Sequence, residues 1–210
     1  MIPSLLSLVL FCFAMSATPG PNNVMVMASA ARYGMRRTLP HVLGITLGFP
    51  AMLALVGIGI GALILASPMI HLGLEILGAF LMLWIAWRIA TAGAPHEAPR
   101  AGARPLRFFE AALFQWVNPK AWVIAVAAIA LYARGNGGAH GNGRAHGMVW
   151  IDIALIAAAF ALICLPTLLG WAALGRGAGA FLKSERHFRL FNGAMAALLV
   201  LALVPLAWGG

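Results

Sequence analysis

Lys120 stands in the stretch from Phe108 to Tyr132, which is otherwise almost wholly apolar, and it directly follows Asn118 and Pro119. Proline lacks an amide hydrogen and cannot continue a helix, so this pair stops one helical segment and starts another. If Asn118 caps the restart and Pro119 takes its first position, the free amides and positive dipole end of the new segment point at one spot. Lys120 adds a full charge there. The chemistry on offer is capture of an anion such as a carboxylate. An earlier break, Thr18-Pro19-Gly20-Pro21-Asn22, supplies the complement, because carbonyls freed at Pro19 and Pro21 suit a cation such as an ammonium. Asn22 and Asn23 could cap the restarting helix or offer side-chain amides to a cavity. Gln115 lies three residues before Asn118 on the same helix face, where it faces the path or bonds across to another helix. Thr18, Pro19, Gly20, Pro21, Asn22, Gln115, Asn118, Pro119 and Lys120 form the candidate substrate-binding set.

Two other roles for Lys120 stay open. It could titrate and carry a coupled proton, or it could snorkel to an interface or pair with Glu110 or Asp152 for assembly alone. Acids are scarce. Glu97 and Glu185 lie in basic loops and Glu110 near one end of its apolar stretch, which leaves Asp152 and Glu75 as proton-coupling candidates, both nearer an interface than the midplane.

Such groups need a particular setting. Hydrophobic residues make up 62% of the chain and charged residues 9%, against roughly 25% charged in soluble domains. Residues 1–31, 38–74, 153–175 and 190–210 carry no Asp, Glu, Lys or Arg, and each run reaches the roughly 20 residues that span a hydrocarbon core. Turn signals divide the chain into six spans, 3–31, 40–66, 69–92, 106–133, 148–175 and 190–208, with Ser67-Pro68 predicting a tight hairpin between the second and third. As one helix the first span would run about 43 Å against a core of about 30 Å, so it must tilt, break or re-enter at Pro19-Gly20-Pro21. A charge and a broken helix are both costly at membrane depth, and where they occur they usually line a substrate or ion path. This pattern points to a transporter.

The net charge of +9 is a topology signal. Arg32, Arg36 and Arg37 follow span one; Arg88, Arg100, Arg104 and Arg107 surround the loop after span three; Arg176, Lys183, Arg186 and Arg189 surround the loop after span five. The opposite side has Arg134 and Arg144. The positive-inside rule therefore places the basic loops in the cytoplasm and both termini outside, and nucleic acid is not an expected partner. Ala14 and Ala17 resemble a signal-cleavage site, but no basic residue precedes them, so this segment reads as a retained helix. With six spans, spans one and four run in opposite directions and both carry a proline break. That is the arrangement of two inverted three-helix repeats, residues 1–92 and 108–210, joined by a cytoplasmic linker at 93–107. The expected fold is thus an all-α integral membrane protein with broken first and fourth helices.

The remaining features read as structure. Cys12 and Cys164 lie in apolar spans as small hydrophobes, and no metal-ligand spacing or cofactor motif occurs. Gly44 with Gly48, and Gly57 with Gly61, have helix-packing spacing. His41 reads as a packed or interfacial histidine. The glycine-rich loop 135–147 reads as a linker; Trp84, Trp87, Trp150 and Trp208 read as interfacial anchors.

The sequence resembles the lysine-exporter (LysE/RhtB) family of amino-acid efflux proteins. The likeness is carried by Thr18-Pro19-Gly20-Pro21-Asn22 followed by Gly34, Arg36 and Arg37; by Gly44 and Gly48; by Phe114-Gln115-Trp116-Val117-Asn118-Pro119-Lys120-Ala121; by Pro166, Trp171 and Gly175; and by Arg189-Leu190-Phe191-Asn192. The resemblance implies six helices, a multi-pass place in the plasma (inner) membrane, and export of amino acids or close derivatives, commonly driven by the proton-motive force. Joined to the residue reading, it predicts alternating access, with Lys120 and the amides after Asn118 holding the α-carboxylate and the first break holding the α-ammonium. The shortage of deep acids favours a neutral amino acid over a cationic one. Export of another small solute or a metal cation, or a non-transporting membrane subunit, are the rival readings. No constellation for catalysis appears, so an enzyme is not expected. Small-residue faces permit a homodimer.

Overall fold

The structure, a computed structural model, describes residues 5–61, 66–92, 104–133, 146–181 and 184–203. Those residues are helical almost throughout. Helix α1 is Leu5–Ala17, α2 Pro21–Leu55, α3 Pro68–Ala90, α4 Phe108–Phe114, α5 Pro119–Tyr132, α6 His146–Phe181 and α7 Glu185–Leu201. A 3₁₀ turn, Gln115–Val117, links α4 to α5, and a π-helical turn, Val56–Ile60, ends α2.

Both expected breaks are present. Leu5–Ala17 and Pro21–Tyr33 meet at 55°, and Phe108–Val117 and Pro119–Tyr132 meet at 71°. Among the described residues, Met35–Gly59, Leu72–Ala90 and Trp150–Ala180 are each long and apolar enough to cross a membrane, and counting each bent pair as one span raises these three to five. This is a multi-pass membrane protein. The expected span at 190–208 is described only as far as residue 203, as part of the 17-residue α7, and Trp208 lies outside the described residues. So do Glu97, Arg100, Lys183, Arg134, Arg144 and most of the glycine-rich loop.

One boundary differs from expectation. The basic stretch after span one is helical, and spans one and two are separated only at Gly34, whose φ of 77° and ψ of 168° suit a residue without Cβ. The cluster of Arg32, Arg36 and Arg37 signals exposure, which a helix end at a membrane surface satisfies as well as a loop does.

Inside lipid, helix association depends on close packing, because lipid tails are as apolar as the side chains. Glycines provide it here. A Cβ on Gly48 would lie 2.5 Å from Ala112 Cα, and one on Gly44 2.8 Å from Ala111 Cβ, so α2 rests directly on α4. Gly175 and Gly179 of α6 fit against the backbone at Met27 and Ala31 of α2. Phe49 of α2 meets Phe160 of α6 edge to face at 5.0 Å. On the outer face of α3, by contrast, Leu72, Ile76, Phe80, Leu83 and Trp87 are exposed, as lipid-facing side chains should be.

The two broken helices run antiparallel. Tyr132 Oη, at the far end of α5, donates to the Ser7 carbonyl at the start of α1 (3.0 Å), while the start of α5 meets the end of α1. At 1.5 Å per residue, the 13 residues of α1 carry the chain about 20 Å before it breaks, less than the roughly 30 Å of a hydrocarbon core.

Candidate functional site

Lys120 crosses from one break to the other. Its Nζ donates to the Thr18 carbonyl at 2.5 Å. Gly20 leaves room for the crossing, since a Cβ there would sit 2.6 Å from Lys120 Cδ and 3.0 Å from its Nζ. Thr18 Oγ1 turns back to the Ala14 carbonyl (2.6 Å). The Thr18 carbonyl also accepts from Asn23 Nδ2 at 3.0 Å, and the same amide reaches the Ser16 carbonyl at 2.9 Å. Asn23 thus satisfies the carbonyl end of α1 rather than capping the helix that follows.

Asn118 caps α5 as its sequence position suggested. Its Oδ1 accepts from Lys120 N at 3.2 Å, and its carbonyl accepts from Ala121 N (3.0 Å) and Trp122 N (3.3 Å). These bonds occupy amides that were expected to hold a carboxylate. The uncapped start is at the other break, where Gly20 offers no side chain to the first turn of α2. The amides of that turn, including those of Asn22 and Asn23, point into the break with the positive end of the helix dipole behind them.

A cavity of about 50 Å³ opens beside the crossing. Its lining joins polar groups, from Ser16, Asn22, Asn23, Asn118 and Lys120, to apolar ones that include Met15, Ile45, Phe49, Ile124, Phe160 and Leu168. An amino acid likewise joins polar and apolar groups. At roughly 30 Å³ per water the space holds one or two waters, so the lining must part before any amino acid can enter.

The candidate residues divide into three groups. Gly20, Asn22, Asn118 and Lys120 line the cavity. Thr18, Pro19, Pro21 and Pro119 shape the breaks without lining it. Gln115 is fully buried, exchanges bonds with Asn22 (2.8 and 3.3 Å) and donates to the Ala111 carbonyl (2.8 Å), so its amide serves an interhelical bond. Asp152 and Glu75 do not line the cavity, and each has interactions of its own. Glu110 is held by both guanidinium nitrogens of Arg104 at 2.7 and 2.5 Å, so it is not the partner of Lys120. Among the described residues no cluster of His, Cys, Asp or Glu could hold a metal ion. Ile45 and Phe49, one turn apart, and Phe160 and Cys164, also one turn apart, line the cavity without being marked out by the sequence. The i, i+4 spacing is the only signal they carry, and any packed helix shares it.

Known proteins match the chain in sequence over most of its length. The cysteine/O-acetylserine efflux protein of Salmonella typhimurium (strain LT2) is 32% identical over 189 residues, 89% of this chain and 89% of that protein. The cysteine/O-acetylserine efflux protein of Escherichia coli (strain K12) is 33% identical over 134 residues, 63% of this chain and 67% of that protein. No solved structure matches the chain significantly. The family model for the LysE type translocator matches residues 13–208, a region that includes both breaks and the whole cavity wall. The chain belongs to the LysE type translocator family.

Proposed function

We propose that this translocator exports a small neutral amino acid, such as cysteine or O-acetylserine, in exchange for a proton. The observation that carries the proposal is the bond from Lys120 Nζ to the Thr18 carbonyl. An ammonium of the protein occupies the backbone acceptor that a substrate ammonium would need. Only one cation can hold it well at a time.

When the cargo binds, its ammonium takes the Thr18 carbonyl, and its carboxylate meets the first-turn amides of α2 and the side-chain amides of Asn22 and Asn118. Lys120, displaced from Thr18 by a second ammonium at the same carbonyl, sheds a proton because two like charges at one site disfavour each other. When the cargo leaves on the other side, Lys120 takes up a proton and returns to Thr18. One amino acid moves out for each proton moved in. Of the coupling candidates, Lys120 lines the cavity, whereas Asp152 and Glu75 do not.

The names of the relatives, cysteine/O-acetylserine efflux proteins, support a cargo of that class. The antiparallel run of the broken helices supports alternating access between inverted halves, residues 1–92 and 108–210. The gathering of Arg32, Arg88, Arg104, Arg37 and Arg107 around two cavities at one end supports that end as cytoplasmic, in the plasma membrane, with both termini outside.

The test is efflux from cells preloaded with a panel of dipeptides, at matched membrane levels of protein. The intact protein should release small neutral amino acids faster than cells without it, and Lys120→Met should not. Equal efflux from both forms would refute the assignment.

A further inference from the structure

The basic end holds a second cavity, of about 70 Å³, which the transport cycle above does not use. His41, Ser29, Asn192 and Arg88 line it, with Arg32 and Arg104 beside them. His41 is only 1% exposed, and its Nε2 is buried with no hydrogen-bond partner among the described residues. Ser29 Oγ lies 3.5 Å from its other ring nitrogen, Nδ1. Arg88 lies over the Trp84 ring at 4.8 Å and has no carboxylate partner among the described residues. Arg104 is already engaged by Glu110. Asn192 commits its Nδ2 to the Ala92 carbonyl (2.9 Å), which leaves its Oδ1.

We propose that this cavity is a loading station that binds the cargo's carboxylate before the cargo reaches the breaks. Arg88 supplies the charge. With the serine hydroxyl donating to Nδ1, His41 carries its proton on Nε2 and, once the lining parts to admit the ligand, donates it to the carboxylate. A buried donor without an acceptor costs free energy in the empty protein, and a carboxylate removes that cost.

The station lies in line with the central cavity. Asn22, Met25, Ser29 and Arg32 form one face of the first segment of α2; Asn22 lines the central cavity and the other three line the basic-end cavity. His41, Ile45 and Phe49 form the facing stripe, His41 lining the basic-end cavity and the other two the central one. The seven steps from Asn22 to Ser29 span about 10 Å of helix, so one stripe on each segment joins both cavities. The inference rests on the amino-acid cargo proposed above, but it asks only for a carboxylate.

The experiment is a titration of the full-length protein in nanodiscs, with histidine rings labelled with ¹⁵N and His41 assigned from the His41→Gln spectrum. The probes are propionate, which has no ammonium, and O-acetylserine. Both should shift the His41 ring signal in the intact protein and in Lys120→Met. Arg88→Gln should weaken both by about tenfold or more, as expected for loss of a charge-assisted bond, and should raise KM for export while sparing kcat. A His41 signal that neither probe moves would overturn the proposal. So would equal shifts in Arg88→Gln, or shifts with inorganic phosphate alone, which would assign the cavity to phosphate headgroups. Failure of the cargo assignment looks different: propionate would still shift His41 while O-acetylserine was not exported.

Discussion

Asn22 and Gln115, 93 positions apart in the chain, exchange two hydrogen bonds, Nδ2 to Oε1 at 2.8 Å and Nε2 to Oδ1 at 3.3 Å. The pair clamps one broken helix to the other immediately beside the Lys120 crossing. Gln115→Leu would leave the Asn22 amide without its partner, at a cost of about 1–2 kcal/mol in a membrane interior. The melting temperature in detergent should fall accordingly. Adding Asn22→Leu to Gln115→Leu should recover part of that loss, because both orphaned groups are then gone, while export stays impaired through the missing cavity amide.

Gly20→Ala tests the crossing without touching either partner. The backbone at Gly20 is extended, with φ −168° and ψ 179°, so alanine fits the chain there. Its Cβ would collide only with the flexible end of Lys120. The variant should fold and reach the membrane, yet proton-driven export should drop about tenfold or more, the worth of a displaced charge-assisted bond. Export assays at matched protein levels read this directly.

Gly48→Ala makes the opposite case. Here the added carbon would meet Ala112 Cα rather than a movable side chain. Helices α2 and α4 must separate, and overpacking of this kind costs about 1–3 kcal/mol. A lower melting temperature is expected even where residual export persists, whereas Gly73→Ala, whose added carbon meets nothing within 4 Å, should lower neither and should raise the melting temperature slightly, as alanine favours the helix over glycine.

The Arg104–Glu110 pair should matter little to stability. Its side chains are 41% and 40% exposed, and exposed ion pairs contribute about 1 kcal/mol or less. Glu110 also accepts from Arg107 N at 2.8 Å, closing the first turn of α4. Glu110→Gln should therefore shift the melting temperature only slightly, and a large shift would mean the pair fixes the mouth of the basic-end cavity.

The breaks were legible in the sequence because proline's missing amide acts locally: Pro19, Pro21 and Pro119 each dictate where a helix must stop or restart. The cap at Asn118 was legible for the same reason. What joins the breaks was not. The acceptor of the Lys120 ammonium lies 102 positions away, and no local rule selects the Thr18 carbonyl over a substrate. Gln115 was ambiguous between path and interhelical bond until its partner was known. His41 reads as an ordinary packed histidine, because an unpartnered Nε2 is a property of its surroundings. The junction at Gly34 was hidden by arginines that serve a helix end as well as a loop.

The most direct test of the account is proton movement in proteoliposomes loaded with O-acetylserine and subjected to a pH gradient. Intact protein should carry O-acetylserine and protons in opposite directions. Lys120→Arg, which keeps its charge, and Lys120→Met, which has none, should both lose gradient-driven transport. Transport by either variant at the intact rate and with the same proton flux would contradict the exchange at Thr18.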